Sequence, residues 1–320
     1  MFVNNKRDLI FLKRVVGAFV LCVMATLYSI PTVHAQSCNE ITSLPVTIDE
    51  PGVWCVTRDL SWQNPSAPAI HIVSDNVQLD LMGHTVSGQF LRCEARRYLP
   101  QDSASSLRIG VKLGERNQPV KNARLFNGTI KGFAIGMFIN GQNFFMRDLD
   151  LLRNARIGMI AVGYGTIHNN SVRATGGVRC GSPSYGMYLV ETEGGNGFSV
   201  TRNNISNTWS EYIATGLYSS GRITAVENTV INSTRIGMQI LTTFRPSVLL
   251  RNRIGNTGQY YSNQGAESRR GQKALDMFIP RDFRAGTYIG YRGNEAFGFD
   301  EGFTVGFTGE YRDWGGNTAR

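Results

Sequence analysis

Glu191, Glu193 and Glu211 lie in a stretch bounded by Tyr188 and Tyr218, with Arg173 a short way upstream. Hydrolysis of a glycosidic bond needs two carboxylates about 5 to 9 Å apart, one of them keeping its proton, and Glu191 with Glu211 could supply that pair from neighbouring turns of a repeat. Elimination from a uronate needs a base at the proton alpha to the carboxylate and a cation to stabilise the developing charge, roles open to Tyr188 or Tyr218 with Arg173. The residues alone do not choose between these chemistries. A binding set accompanies them, namely the aromatic residues Phe138, Tyr188 and Tyr218 and the basic residues Arg153, Arg156 and Arg235, with Lys131 nearby. Aromatic rings suit the apolar faces of sugars, and guanidinium groups grip carboxylates at two points. Asp80 and Asp150 fall at structural positions. His71, His84 and His168 are isolated, the cysteines have no metal-ligand spacing, and the acids are too dispersed for a calcium-dependent lyase, so no metal and no cofactor is expected.

What must position these residues is a repeat. The phrase Gly136-Met-Phe-Ile returns as Gly158-Met-Ile-Ala, Gly186-Met-Tyr-Leu, Gly216-Leu-Tyr-Ser and Gly237-Met-Gln-Ile, with Gly110-Val-Lys-Leu as an earlier relative. The intervals of 26, 22, 28, 30 and 21 residues describe a coil of just over twenty with insertions of variable length. Between the glycines, short apolar strands flank a polar residue, and aligning them stacks Asn170, Asn203, Asn228 and Asn252. Asparagine tolerates the left-handed backbone and bonds its amide to neighbouring backbone, so the column is expected to be an internal structural ladder. Strands this short, with no helical period, must pair with their equivalents one coil away, which predicts an all-β, right-handed parallel β-helix. If Met137, Met159, Met187, Leu217 and Met238 point inward, alternation sends Phe138, Ile160, Tyr188, Tyr218 and Gln239 outward, one per coil.

The ends of the chain set its compartment. Lys6, Arg7, Lys13 and Arg14 precede an apolar run from Val15 to Ile30 and the small-residue pattern Val33-His34-Ala35, which reads as a signal peptide over residues 1–35, an uncleaved anchor being the alternative. The protein is therefore expected to be exported, periplasmic or extracellular, with no stable membrane insertion after cleavage. About 285 residues remain, and losing four basic residues and Asp8 takes the formal charge from +9 to +6. That balance suits anionic partners such as an acidic polysaccharide, whereas scattered charges without a basic run speak against nucleic acid. Four cysteines remain in an oxidising setting, Cys38, Cys55, Cys93 and Cys180. Of the three connectivities, Cys38 with Cys55 and Cys93 with Cys180 are favoured because each pair joins neighbouring stretches. The β-helix with an amino-terminal cap is expected over 36–256, and 257–320 as a carboxyl-terminal cap or a partly disordered, irregular tail. Loops are expected near 92–106 and 176–184.

The residues Gly52-Val-Trp-Cys-Val-Thr-Arg-Asp-Leu60, Ala69-Ile-His-Ile and Asn76-Val-Gln-Leu-Asp-Leu-Met-Gly-His-Thr-Val-Ser-Gly88 resemble the opening coils of bacterial right-handed β-helix repeat proteins of the pectate-lyase-like superfamily. The resemblance covers roughly residues 40 to 255 and implies the fold more sharply than an activity, since the superfamily includes lyases, hydrolases, epimerases, tailspikes and surface proteins. It implies a functional surface along the first sheet. The motifs of its active subfamilies are missing: paired aspartates with Gly-His-Gly and Arg-Ile-Lys, a Trp-Ile-Asp-His strand (here Phe145-Met-Arg-Asp-Leu-Asp150), and Asp-Pro-His-Asp. The leading expectation is a secreted β-helix that binds or processes a polysaccharide, an acidic one included, as lyase or glycoside hydrolase if it is an enzyme. The alternative is a non-catalytic envelope scaffold or adhesion-type protein.

Overall fold

In a computed structural model the chain is described over residues 38–64, 67–89, 108–176, 183–210, 213–242, 245–256, 273–279, 287–298, 301–306 and 310–319. Residues 1–35, the cysteines Cys93 and Cys180, and Glu211 lie outside the described residues. The described strands form three parallel ladders, each strand pairing with its counterpart one coil away. The first sheet runs from Val46–Ile48 through Ile70–Ile72, Ile109–Leu113, the opening of Ile135–Leu152, the opening of Ile157–His168, Ser184–Glu191, Ala214–Ser220, Ile236–Leu241 and Lys273–Phe278 to Glu301–Gly306. A second sheet runs from Asn39–Ile41 to Glu310–Asp313, and a third from Leu60–Trp62 to Thr318–Ala319. The chain is therefore a right-handed parallel β-helix, and the long strand Ile135–Leu152 contributes to all three of its sheets in turn. Pairing passes beyond residue 256 through Lys273–Phe278, Tyr288–Arg292 and Glu295–Phe297.

Alternation fills the interior. Met137, Met159, Met187, Leu217 and Met238 are fully buried in one continuous core with the inward residues of the other two sheets. The glycine before the first four of them has a steric cause. A Cβ on Gly158 would lie 2.4 Å from Val172, one on Gly186 2.5 Å from Ile205, and one on Gly216 2.3 Å from Val230, all inward side chains of the third sheet. Gly and Met thus both face the core, and the strand alternation is broken at that step. The residue ahead of the glycine consequently turns outward: Ile109, Ile135 and Ile157 form a separate apolar cluster against Phe138, Ile160, Tyr185 and Tyr188.

The asparagine column is an internal ladder. Asn170, Asn203, Asn228 and Asn252 are buried, and each backbone N–H donates to the amide oxygen one coil on, at 2.9 to 3.0 Å. It continues through Asn294 to Asn317. At the amino end a disulfide joins Cys38 to Cys55, with Cα atoms 5.7 Å apart, and ties the first strand to the second coil.

Candidate functional site

The outer face of the first sheet carries one side chain per coil in strict register: Thr47, His71, Lys112, Phe138, Ile160, Tyr188, Tyr218, Gln239 and Asp276. Coils are separated by the inter-strand spacing of about 4.8 Å, so adjacent members touch. The middle of the column is apolar and aromatic, and both ends are polar. Phe138, Ile160, Tyr188 and Tyr218 are half-buried, as sequence alternation places them, and Val162 and Val190 flank them on the same face.

Three tyrosines form the centre. The rings of Tyr188 and Tyr218 stack 4.7 Å apart at 8°, so each covers one face of the other. Tyr185 sets its ring across both, 4.9 Å from Tyr188 and 6.0 Å from Tyr218, at 67° and 66°. Simple alternation from Met187 would have buried Tyr185. The inward glycine Gly186 reverses it, which is the signal that could have revealed this residue in the sequence. Burial, reinforced by the neighbouring tyrosines, raises the Tyr185 and Tyr218 hydroxyls above the usual phenol value, so both stay protonated donors at neutral pH.

At one end of the column, Lys112 Nζ lies 2.7 Å from Glu115 Oε1, and His71 Nε2 lies 3.0 Å from the same oxygen without the alignment of a hydrogen bond. The Lys112 ammonium holds the Glu115 carboxyl below its ordinary range. Burial, with Lys112 beside it, pushes the His71 imidazole down, so the ring is neutral at pH 7. At the other end, Asp276 accepts from Gln239 Nε2 at 3.1 Å and from Lys273 Nζ at 3.2 Å. Neither end stood out in the sequence, because each cluster draws on separate coils. Among the described residues no group of three or more His, Cys, Asp and Glu could hold a metal ion.

The remaining candidates separate. Arg156 and Arg235 sit at the edge where the chain enters the first sheet, their backbones bonded to Ala134 and Ala214, and the Arg156 charge reaches the Tyr185 hydroxyl. Arg153 occupies an exposed left-handed turn position (φ 52°) after the third sheet. Arg173 lies on the third sheet and pairs with Asp150, Nη2 to Oδ2 2.5 Å. Glu191 faces inward at the end of its strand, 9% exposed, where Oε2 accepts the Arg222 backbone N–H at 2.6 Å. It packs so closely on Gly221 that a Cβ there would lie 2.3 Å from its own. The structure thus brings Phe138, Tyr188, Tyr218 and Arg156 onto one face. It does not bring Glu191 or Arg173 to them.

No protein-family model and no curated protein matches the sequence. Several solved structures are similar in fold. The chain is 12% identical to the Dettilon tailspike protein gp208, covering 81% of this chain and 54% of that one, with a TM-score of 0.49. The chain thus spans about half of the tailspike's length. Against the periplasmic alginate epimerase AlgG the identity is 12%, the coverage 82% and 69%, and the TM-score 0.49. Against pectate lyase Pel9A the figures are 11%, 77% and 66%, and 0.41.

Proposed function

We propose that this chain is an exported protein that binds a polysaccharide along the outer face of its first sheet. The observation that carries the proposal is the unbroken outward column of Phe138, Ile160, Tyr188 and Tyr218, with Tyr185 laid across it and a charged cluster at each end. Such a surface offers apolar contact through Tyr185 and Phe138 and fixed hydroxyl donors through the stacked pair. Arg156 and Arg235 at the entering edge add positive charge and favour a polymer that bears carboxylates, whereas Lys112 and Lys273 at the ends are balanced by Glu115 and Asp276. The Cys38–Cys55 disulfide accords with an oxidising compartment.

A non-catalytic role is the second reading, and the inward turn of Glu191 favours it: the acids in contact with the column, Glu115 and Asp276, stand at its opposite ends, several coils apart. Affinity electrophoresis of residues 36–320 through gels containing acidic or neutral polysaccharide tests binding, with Tyr185→Ala and Tyr218→Ala as variants. Retardation by an acidic polymer, reduced about tenfold in either variant, is expected for loss of a buried aromatic contact. Migration unaffected by every polymer would refute the proposal. Absorbance near 235 nm and reducing-end release, followed in parallel, assign lyase or hydrolase chemistry, and silence in both with binding intact assigns a binding or scaffold role.

A further inference from the structure

A second concave site lies away from the first sheet, around the turn that leads from it into the second. There a cavity of about 550 Å³ is lined by Asn76, Asn122, Asn143, Gln78, Arg124 and Phe145, a size within the range of small-ligand sites. Its walls differ in kind. Along the turn, Asn76, Asn122 and Asn143 hold left-handed backbone (φ 56°, 56° and 55°) and form an exposed amide ladder, Asn122 donating to Asn76 at 3.0 Å and Asn143 to Asn122 at 2.8 Å. Each bond uses one N–H and one lone pair, and the rest of each amide faces the cavity at fixed spacing. On the sheet, Gln78, Arg124 and Phe145 sit side by side on three successive strands.

Arg124 gives the site its sign. Its guanidinium is exposed and makes no ion pair among the described residues, whereas other arginines of the same surface are engaged. Arg147 lies over the Phe126 ring at 5.3 Å, and Arg202 and Arg251 both grip Glu227. The acids bordering the cavity in sequence are turned to backbone: Asp75 accepts from Lys121 N–H, and Asp80 from Met82 N–H. A guanidinium without a carboxylate, one strand from an aromatic ring and facing a row of amides, matches the three parts of an acidic sugar: its charge, its apolar ring face and its hydroxyls.

We infer that the cavity around Arg124 and Phe145 binds a pyranoside carrying a carboxylate, independently of the first-sheet column. The carboxylate meets Arg124 at two points, the sugar face lies on Phe145, and the asparagine amides take the hydroxyls. Calorimetric titration of the mature chain with methyl β-D-glucuronide and methyl β-D-glucoside at low ionic strength tests this, because the two differ only in the carboxylate. The glucuronide is expected to bind at least about tenfold more tightly, Arg124→Ala to abolish that difference, and Phe145→Ala to weaken both. Tyr188→Ala and Tyr218→Ala are expected to change neither, so failure of the first-sheet proposal leaves this site intact and the converse holds too. A glucuronide trisaccharide that binds more tightly than the monosaccharide identifies a polymer as the source, and equal affinity identifies a single sugar; either result supports the site. Equal affinity for the glucuronide and the glucoside, absence of glucuronide binding, or an unchanged preference in Arg124→Ala would overturn it.

Discussion

Replacing Asn228 with alanine removes one rung from the internal ladder, and the cost can be worked out from its partners. The Asn228 amide donates to the Val200 carbonyl at 2.8 Å and to Asn252 Oδ1 at 2.9 Å, and its oxygen accepts the Asn203 backbone N–H at 3.0 Å. Asn252 Oδ1 keeps the Asn228 backbone N–H as a donor, and the Asn203 amide keeps the Ile167 carbonyl. The Val200 carbonyl keeps the Val226 N–H of the paired strand, so one buried backbone group, the Asn203 N–H, is left without a partner. At about 1 to 3 kcal/mol for an orphaned group, the expected loss is about 1 to 3 kcal/mol. Urea denaturation followed by circular dichroism reads the loss as a fall in midpoint, and native-state hydrogen exchange reads it locally as faster exchange at Asn203 than at coils several turns away. Asn207→Ala provides the contrast, since its oxygen accepts from Asn232 at 3.1 Å in an outer ladder that water can replace, and its cost is expected to stay at about 1 kcal/mol, set by the strain of alanine in left-handed backbone (φ 58°). A loss in Asn228→Ala no larger than that of Asn207→Ala, or an Asn203 amide as protected as in the wild type, would show the ladder to be an accompaniment of the fold rather than a support.

Gly186→Ala places a Cβ 2.5 Å from Ile205 and from the Gly216 carbonyl, and is expected to destabilise by about 1 to 3 kcal/mol in thermal melts; a neutral effect would mean the first and third sheets are not in contact there. The His71 ring is expected to titrate below an ordinary histidine by NMR, further below it in Glu115→Gln, which loses the charge that supports the protonated form, and closer to it in Lys112→Met. The sign for stability follows: below the ordinary histidine value the unfolded chain takes up the proton first, so His71 lowers stability as the pH falls, and His71→Phe should flatten that limb. An unshifted His71 would remove the basis for placing it in a half-buried cluster with Lys112.

The β-helix was legible because two features recur at one position per coil, the inward Gly-Met step and the asparagine, and both have local causes. The outward placement of Phe138, Tyr188 and Tyr218 followed from alternation after the methionine. Tyr185 was hidden by the same alternation, because a glycine that faces inward beside an inward methionine shifts the phase by one residue. Glu191 is read from the sequence as an acid beside the column, although alternation from the inward Met187 through Leu189 points it inward, where the Arg222 N–H and the bare backbone of Gly221 receive it. Asn294 and Asn317 escaped alignment because a long insertion interrupts the interval after Asn252, although Arg292-Gly-Asn-Glu-Ala-Phe297 repeats the polar turn between strands. The clusters at His71 and Asp276 join residues from separate coils, and their closeness depends on the register, which only the pairing supplies.

Hydroxyl-radical footprinting of residues 36–320 with and without a bound acidic polysaccharide tests most directly where the polymer lies. A polymer seated on the first sheet would reduce oxidation of Phe138, Tyr185, Tyr188 and Tyr218 together and leave Trp314, exposed near the last coil, unchanged. Oxidation of the three tyrosines at the same rate with and without polymer, under conditions where the polymer is bound, would contradict it.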